Sequence, residues 1–137
     1  MRALIAVIST MFVAACGASL ANHRTFALQC SGSQGDFGVL KEPFHTKLYL
    51  DLSDRRYCLN ECRQVFKMHS IGESKMVLSD GSDDLNNWHS EYDVSTQSFT
   101  SHKSGTGAIV YSVQTAAHCK VARLNGDMQR KLINAQD

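Results

Sequence analysis

The sequence predicts a mainly β fold: a small antiparallel barrel or sandwich of meander type, with a short C-terminal helix and two disulfides. Three observations carry that expectation. Polar and apolar residues alternate along most of the chain after residue 24, turn-forming residues interrupt the alternation at short intervals, and four cysteines remain once the N-terminal segment is set aside. Alternation with period two sends successive side chains to opposite faces of a strand. Connections too short for a helical crossover leave antiparallel neighbours as the available pairing.

The clearest strand is 45–54 (HTKLYLDLSD), with Leu48, Leu50 and Leu52 on one face and Lys47, Tyr49 and Asp51 on the other. Segments 75–79, 91–95 and 107–115 read similarly. Their expected inward sets are Met76 with Leu78, Tyr92 with Val94, and Ile109 with Tyr111 and Val113. Further strands are expected at 24–31, 63–70, 98–102 and 117–124. Residues rich in Gly, Ser, Asn and Asp at 31–38, 53–54, 70–74, 79–87, 95–97 and 104–107 supply the turns. The tail, 127–135, reads as a helix with Asp127 as N-cap and Met128 and Leu132 one turn apart on one face.

Residues 1–21 have the composition of a secretory signal, and 22–137 suffice for a single disulfide-stapled domain. Arg2 supplies the positive start, 3–15 (ALIAVISTMFVAA) the apolar core, and the small residues before Ala21 a cleavage site. That core is shorter than the roughly 20 residues a bilayer span requires. Val13-Ala14-Ala15-Cys16 resembles the lipobox of bacterial lipoproteins, which implies lipidation of Cys16 and contact with a membrane only in that case. Both outcomes place the domain outside the cytoplasm: periplasmic or extracellular when cleaved after Ala21, or lipid-anchored to the outer membrane.

Cys30, Cys58, Cys62 and Cys119 form an even set, which an oxidising compartment converts into two disulfides. Three connectivities are open from sequence alone. The three-residue gap between Cys58 and Cys62 fits a local bridge, which leaves Cys30 for Cys119. By loop-closure entropy the local bridge contributes roughly 2 kcal/mol and the long one roughly 4.6. A metal site is the competing use of these thiols, but zinc knuckles favour C-x2-C over this C-x3-C spacing.

The formal charge is +1 for the whole chain and balances without Arg2, and its basic residues are scattered, so nucleic acid is not an expected partner. Several strings carry the look of chemistry. Residues 114–119 (QTAAHC) resemble the segment around the catalytic histidine of chymotrypsin-like serine proteases, which would make His118 a general base; yet no serine follows Cys119 to complete a triad. Residues 80–91 (DGSDDLNNWHSE) space oxygen ligands like an EF-hand loop, but Leu85 stands where the sharp turn needs glycine. None of the six histidines forms a local ligand pair. Gly105-Thr106-Gly107 reads as a hairpin turn. No catalytic residue, metal ligand set or cofactor motif is therefore assigned. Trp88, His89 and Tyr92 form a candidate binding loop, because exposed aromatics beside turns are frequent recognition hot spots.

The order Phe26-x-Leu-x-Cys-Ser-Gly, Leu-Tyr-Leu-Asp-Leu at 48–52, Tyr57-Cys-x3-Cys and a late Cys119 resembles small exported bacterial proteins of unassigned function. More distantly, the early and late cysteines are similar to those of the periplasmic inhibitors of C-type lysozyme. That resemblance implies a β-barrel and an inhibitory role, although Ser104-Gly105 is followed by Tyr111 rather than by the family's Ser-Gly-x-x-Tyr. The expected function is a non-enzymatic binding module of the cell envelope, taking a protein, a glycan or a small ligand. A small hydrolytic or metal-dependent enzyme would require His89, His102 or His118 to meet a carboxylate in a cleft. A lipocalin-like carrier would require an open apolar cavity.

Overall fold

The computed structural model describes residues 24–135. The signal segment and Cys16 lie outside the described residues. Nine strands form one antiparallel sheet: β1 Thr25–Asp36, β2 Glu42–Asp51, β3 Arg56–Leu59, β4 Val65–Lys67, β5 Ser70–Ile71, β6 Lys75–Ser82, β7 Asn86–Asp93, β8 Ser98–Thr106 and β9 Val110–Ala122. One helix, α1 Gly126–Ile133, follows.

The order across the sheet is β4-β3-β2-β1-β9-β8-β7-β6-β5. Each strand lies beside its neighbour in sequence except at two places. β1 pairs with β9 over ten residues, and β4 and β5, the two edges, are joined by Met68 and His69 alone. This is the cyclic order of a meander, curled into a half-barrel with its seam at that two-residue joint. The joint is not loose: Met68 N–H donates to Arg55 O (2.7 Å) and His69 N–H to Val77 O (2.9 Å), so it touches both edges.

Curling follows from the right-handed twist of strands and from a bulge between Val77 and Ser79, which tightens the β6–β7 ribbon. The concave face then collects the core. Leu28, Leu48, Leu50 and Leu78 are fully buried there with the Cys30–Cys119 disulfide, and Phe44 stacks on Phe99 at 6.0 Å between ring centres. Cys30 and Cys119 are directly opposed in the β1–β9 register, so their bond ties the first strand to the last. Each large buried side chain contributes about 1.5 to 3 kcal/mol of apolar transfer.

The convex face is covered only over β1–β3. There α1 seats Leu132 against Ala27, Tyr49 and the Cys58–Cys62 disulfide. Gln129 Nε2 donates to Thr25 Oγ1 (2.8 Å), and Arg56 Nη1 donates to Ile133 O (3.3 Å). The second half of β2, residues 48–51, is consequently buried on both faces, which corrects the expectation that Tyr49 and Asp51 sit on a polar side, while Lys47 remains exposed there. Asp51 is tolerated at 0 % exposure because its Oδ1 accepts from the amides of Ser53 and Asp54 in the following turn.

Other boundaries differ from the expected ones. The N-cap of α1 is Asn125, not Asp127: Asn125 Oδ1 accepts from Asp127 N (2.8 Å) and Met128 N (3.4 Å), and Asp127 instead pairs with Arg130 within the helix. The expected strands 107–115 and 117–124 are one long strand, Val110–Ala122, 63–70 divides into β4 and β5, and β3 is a strand the sequence reading does not anticipate. Ile109 is 77 % exposed in a hairpin turn and Val94 is 45 % exposed, so neither belongs to an inward set. Much of 31–38, 79–87 and 104–107 is strand rather than turn, since ladder pairing with a long neighbour carries glycine and serine into the sheet.

Candidate functional site

Register arranges the concave side of β6–β9 into four successive rows. The deepest is Met76, Tyr92, Phe99 and Ala117, all buried in the core. Next come Ser79, Ser90, Ser101 and Thr115, a belt of hydroxyls in which Ser79 Oγ and Ser90 Oγ lie 2.6 Å apart. The third row is Gly81, Trp88, Lys103 and Val113, and the outermost is Asn86, Gly105 and Tyr111. The face thus grades from apolar through hydroxylic to aromatic and cationic.

The two outer rows open into a cleft of about 680 Å³. Trp88, Tyr111, Phe99, Ser101 and Lys103 line one side, and Tyr57, Leu59 and Phe66 of β3 and β4 line the other, so the cleft straddles the seam of the half-barrel. Tyr57 and Phe66 stack at 5.3 Å between ring centres and form its apolar wall. Burial pushes the Tyr57 phenol above its ordinary pKa, an effect that its hydrogen bond with Ser79 opposes. The phenol therefore stays neutral at the edge of the hydroxyl belt.

Two glycines create the opening. A Cβ on Gly81 would lie 2.6 Å from the Trp88 ring, and one on Gly105 would lie 2.3 Å from the Tyr111 ring. Each aromatic is the direct cross-strand partner of its glycine and folds down over it. Tyr111 is then fixed by a relay: its OH donates to Asn86 Oδ1 (2.9 Å), and Asn86 Nδ2 donates to Asp83 Oδ1 (2.9 Å). Asp83 also accepts from the Leu85 and Asn86 amides, and these bonds hold its carboxyl below the usual range, the Leu85 amide most of all.

Trp88, His89 and Tyr92 were expected on a loop, and the structure corrects this. All three stand on β7, because 80–91 folds as a hairpin closed by the Asp83 turn rather than as an EF-hand loop. Alternation separates them: Trp88 enters the cleft, Tyr92 is buried beneath it, and His89 stands at the opposite strand parity while still bordering the cleft. His102 has the same outward parity and its Nε2 lies 3.3 Å from Ser112 Oγ, while His118 is exposed on the outer face of β9.

His89 does meet carboxylates, from a strand position that alternates with Trp88 and Ser90. Its Nδ1 lies 3.0 Å from Asp80 Oδ1 and its Nε2 lies 3.3 Å from Glu91 Oε2, which in turn belongs to a carboxylate paired with Lys75 (3.1 Å). Both ring nitrogens face acceptors, so the doubly protonated imidazolium is favoured. The Asp80 hydrogen bond raises the pKa most, and Glu91 adds to it. A ring held in this way has no free lone pair to act as a base. The cluster is a cross-strand charge ladder that pins β6 to β7.

Lys103, Tyr111, Asn86, Gly81 and Gly105 do not stand out in the sequence. A usable signal exists in the hairpins: each glycine and its aromatic partner stand at equal distance from a turn, so pairing across that turn brings them together. Comparison with protein-family models, with curated proteins and with solved structures finds no match for this chain.

Proposed function

We propose that the protein is an exported, non-enzymatic binding protein that takes a small ligand into the concave cleft. The observation that carries this reading is the preformed floor: Trp88 and Tyr111 are pressed onto Gly81 and Gly105, and Tyr111 is hydrogen-bonded in place before any ligand arrives. Rigid aromatic surfaces with a few convergent polar groups are the usual make-up of a small-molecule site, and prior ordering removes part of the cost of binding. His89 and His102 border the same cleft, but their hydrogen bonds go to Asp80, Glu91 and Ser112, and among the described residues none joins a histidine ring to Ser79, Ser90 or Ser101, which favours binding over hydrolysis.

Two disulfides belong to an oxidising, exported location. Within that location we favour the periplasm or the extracellular space. β1 enters the sheet at the filled end and runs toward the open rim, so a lipid on Cys16 would hold the domain with its cleft facing away from the membrane.

Trp88 is the sole tryptophan of the chain, and its fluorescence therefore reports on the cleft alone. Titrating the oxidised protein with the neutral fluorophore N-phenyl-1-naphthylamine should give saturable one-to-one binding with energy transfer from Trp88. Filling the cleft by Ser101→Phe should abolish it while leaving the far-ultraviolet circular dichroism intact. Absence of saturation, or equal binding by the filled variant, would reject the proposal.

A further inference from the structure

We infer that the ligand is an organic anion with a flat apolar body, its acidic group held by Lys103 and its body laid against Trp88 and Tyr111. This rests on the cleft being a binding site at all. The first support is the charge census of the cleft. Among the described residues no aspartate or glutamate borders it, Lys103 is the lysine on its lining, and the titratable His89 and His102 border it as well. Among the described residues, too, no hydrogen bond or ion pair engages the Lys103 ammonium. Elsewhere Lys75 is engaged by Glu91, Lys131 by the Glu61 carbonyl and Arg63 by Glu61.

Position strengthens the point. Lys103 is the cross-strand partner of Trp88 and stands one inward place from Gly105, the floor of Tyr111. Lys103 is exposed at the rim, beside the Trp88 ring, so an anion bound there meets a cation with no protein carboxylate on the cleft lining to compete. A neutral apolar ligand would displace water from the ammonium and return no partner to it, which is unfavourable.

The shape of the body follows from the floor. The Trp88 and Tyr111 rings, pressed against the two glycines, line the cleft, and aromatic rings pair best with another planar group in offset or edge contact. The stacked Tyr57 and Phe66 across the seam supply the opposing apolar wall. Ser101, beneath Lys103 in the hydroxyl row, adds a neutral donor and acceptor for a substituent.

The test uses 8-anilinonaphthalene-1-sulfonate, an anionic planar probe, beside N-phenyl-1-naphthylamine, its uncharged counterpart. Both are titrated into the oxidised full chain and into Lys103→Gln and Lys103→Arg, with energy transfer from Trp88 as the readout. Lys103→Gln should weaken the sulfonate about tenfold and leave the neutral probe within about twofold, Lys103→Arg should restore sulfonate binding, and added salt should weaken the sulfonate alone. Equal sulfonate affinity in wild type and Lys103→Gln would overturn the anion assignment while leaving cleft binding standing. Failure of the neutral probe to bind any of the proteins would overturn the cleft itself, and the anion assignment with it.

Discussion

The two ends of the concave face are made by the same strands with the same alternation, yet one is solid and the other is open. At the filled end the rows carry Met76, Tyr92, Phe99 and Leu78, backed by Leu28, Leu50 and the Cys30–Cys119 bond. At the open end two rows carry Gly81 and Gly105 where side chains would otherwise stand, and the aromatics lie across them. A few missing side chains separate a core from a cleft. One end supplies stability through close packing. The other holds rigid surfaces that need not move to receive a ligand.

The sharpest way to break this contrast is at the filled end. Replacing Cys30 and Cys119 by alanine should lower unfolding free energy by about 4 to 5 kcal/mol in urea denaturation, since their bond spans 89 residues. Replacing Cys58 and Cys62, separated by 4, should cost only about 2 kcal/mol. Equal losses would show that the long bridge does not dominate. The open end should respond in the opposite sense. Gly105→Ala forces the Tyr111 ring and Asn86 Oδ1 to shift, so N-phenyl-1-naphthylamine binding should fall at least about tenfold for a stability loss near 1 kcal/mol. A variant that binds normally would mean the flat ring is not required.

The smallest effect belongs to the His89 cluster. The raised pKa of His89 means that its ion pairs contribute fully below the ordinary histidine value of about 6.5 and are lost as pH rises through the higher folded value. With 42 % of the side chain exposed, solvent screening limits this to about 0.5 kcal/mol. Thermal denaturation of wild type should weaken slightly from pH 6 to pH 9 relative to His89→Gln. Parallel profiles would remove His89 from the account.

Much of the fold was legible because leucines alternate where the sheet has its core. Leu48 and Leu50 mark β2 without ambiguity, and the even cysteine count with its short internal gap pointed to both disulfides that the structure contains. β3 was hidden because a four-residue strand has too few alternations to register, and it is held by pairing with β2 rather than by its own pattern. β9 read as two strands because Ala116 and Ala117 interrupt its alternation, although Cys119 and Thr115 continue the inward face. The helix cap was misplaced by two residues because Asn125 and Asp127 are both competent caps, and only backbone geometry chooses between them. Of the site, Trp88 alone attracted notice. Lys103 and Tyr111 join it through register across two hairpins, which no local motif encodes.

The seam at Met68 and His69 has a mechanical consequence. Its two sides are also the two sides of the cleft, with Tyr57 and Phe66 on one and Ser79 and Trp88 on the other. Elsewhere around the half-barrel, separating neighbouring strands means breaking a ladder of backbone bonds. Across this line no ladder pairs β4 with β5 among the described residues; the chain at Met68 and His69 and the Tyr57–Ser79 hydrogen bond cross it. The protein is therefore stiff around its circumference and compliant along one line. That line runs through the cleft, so the jaw can take bodies of different thickness without unzipping a strand.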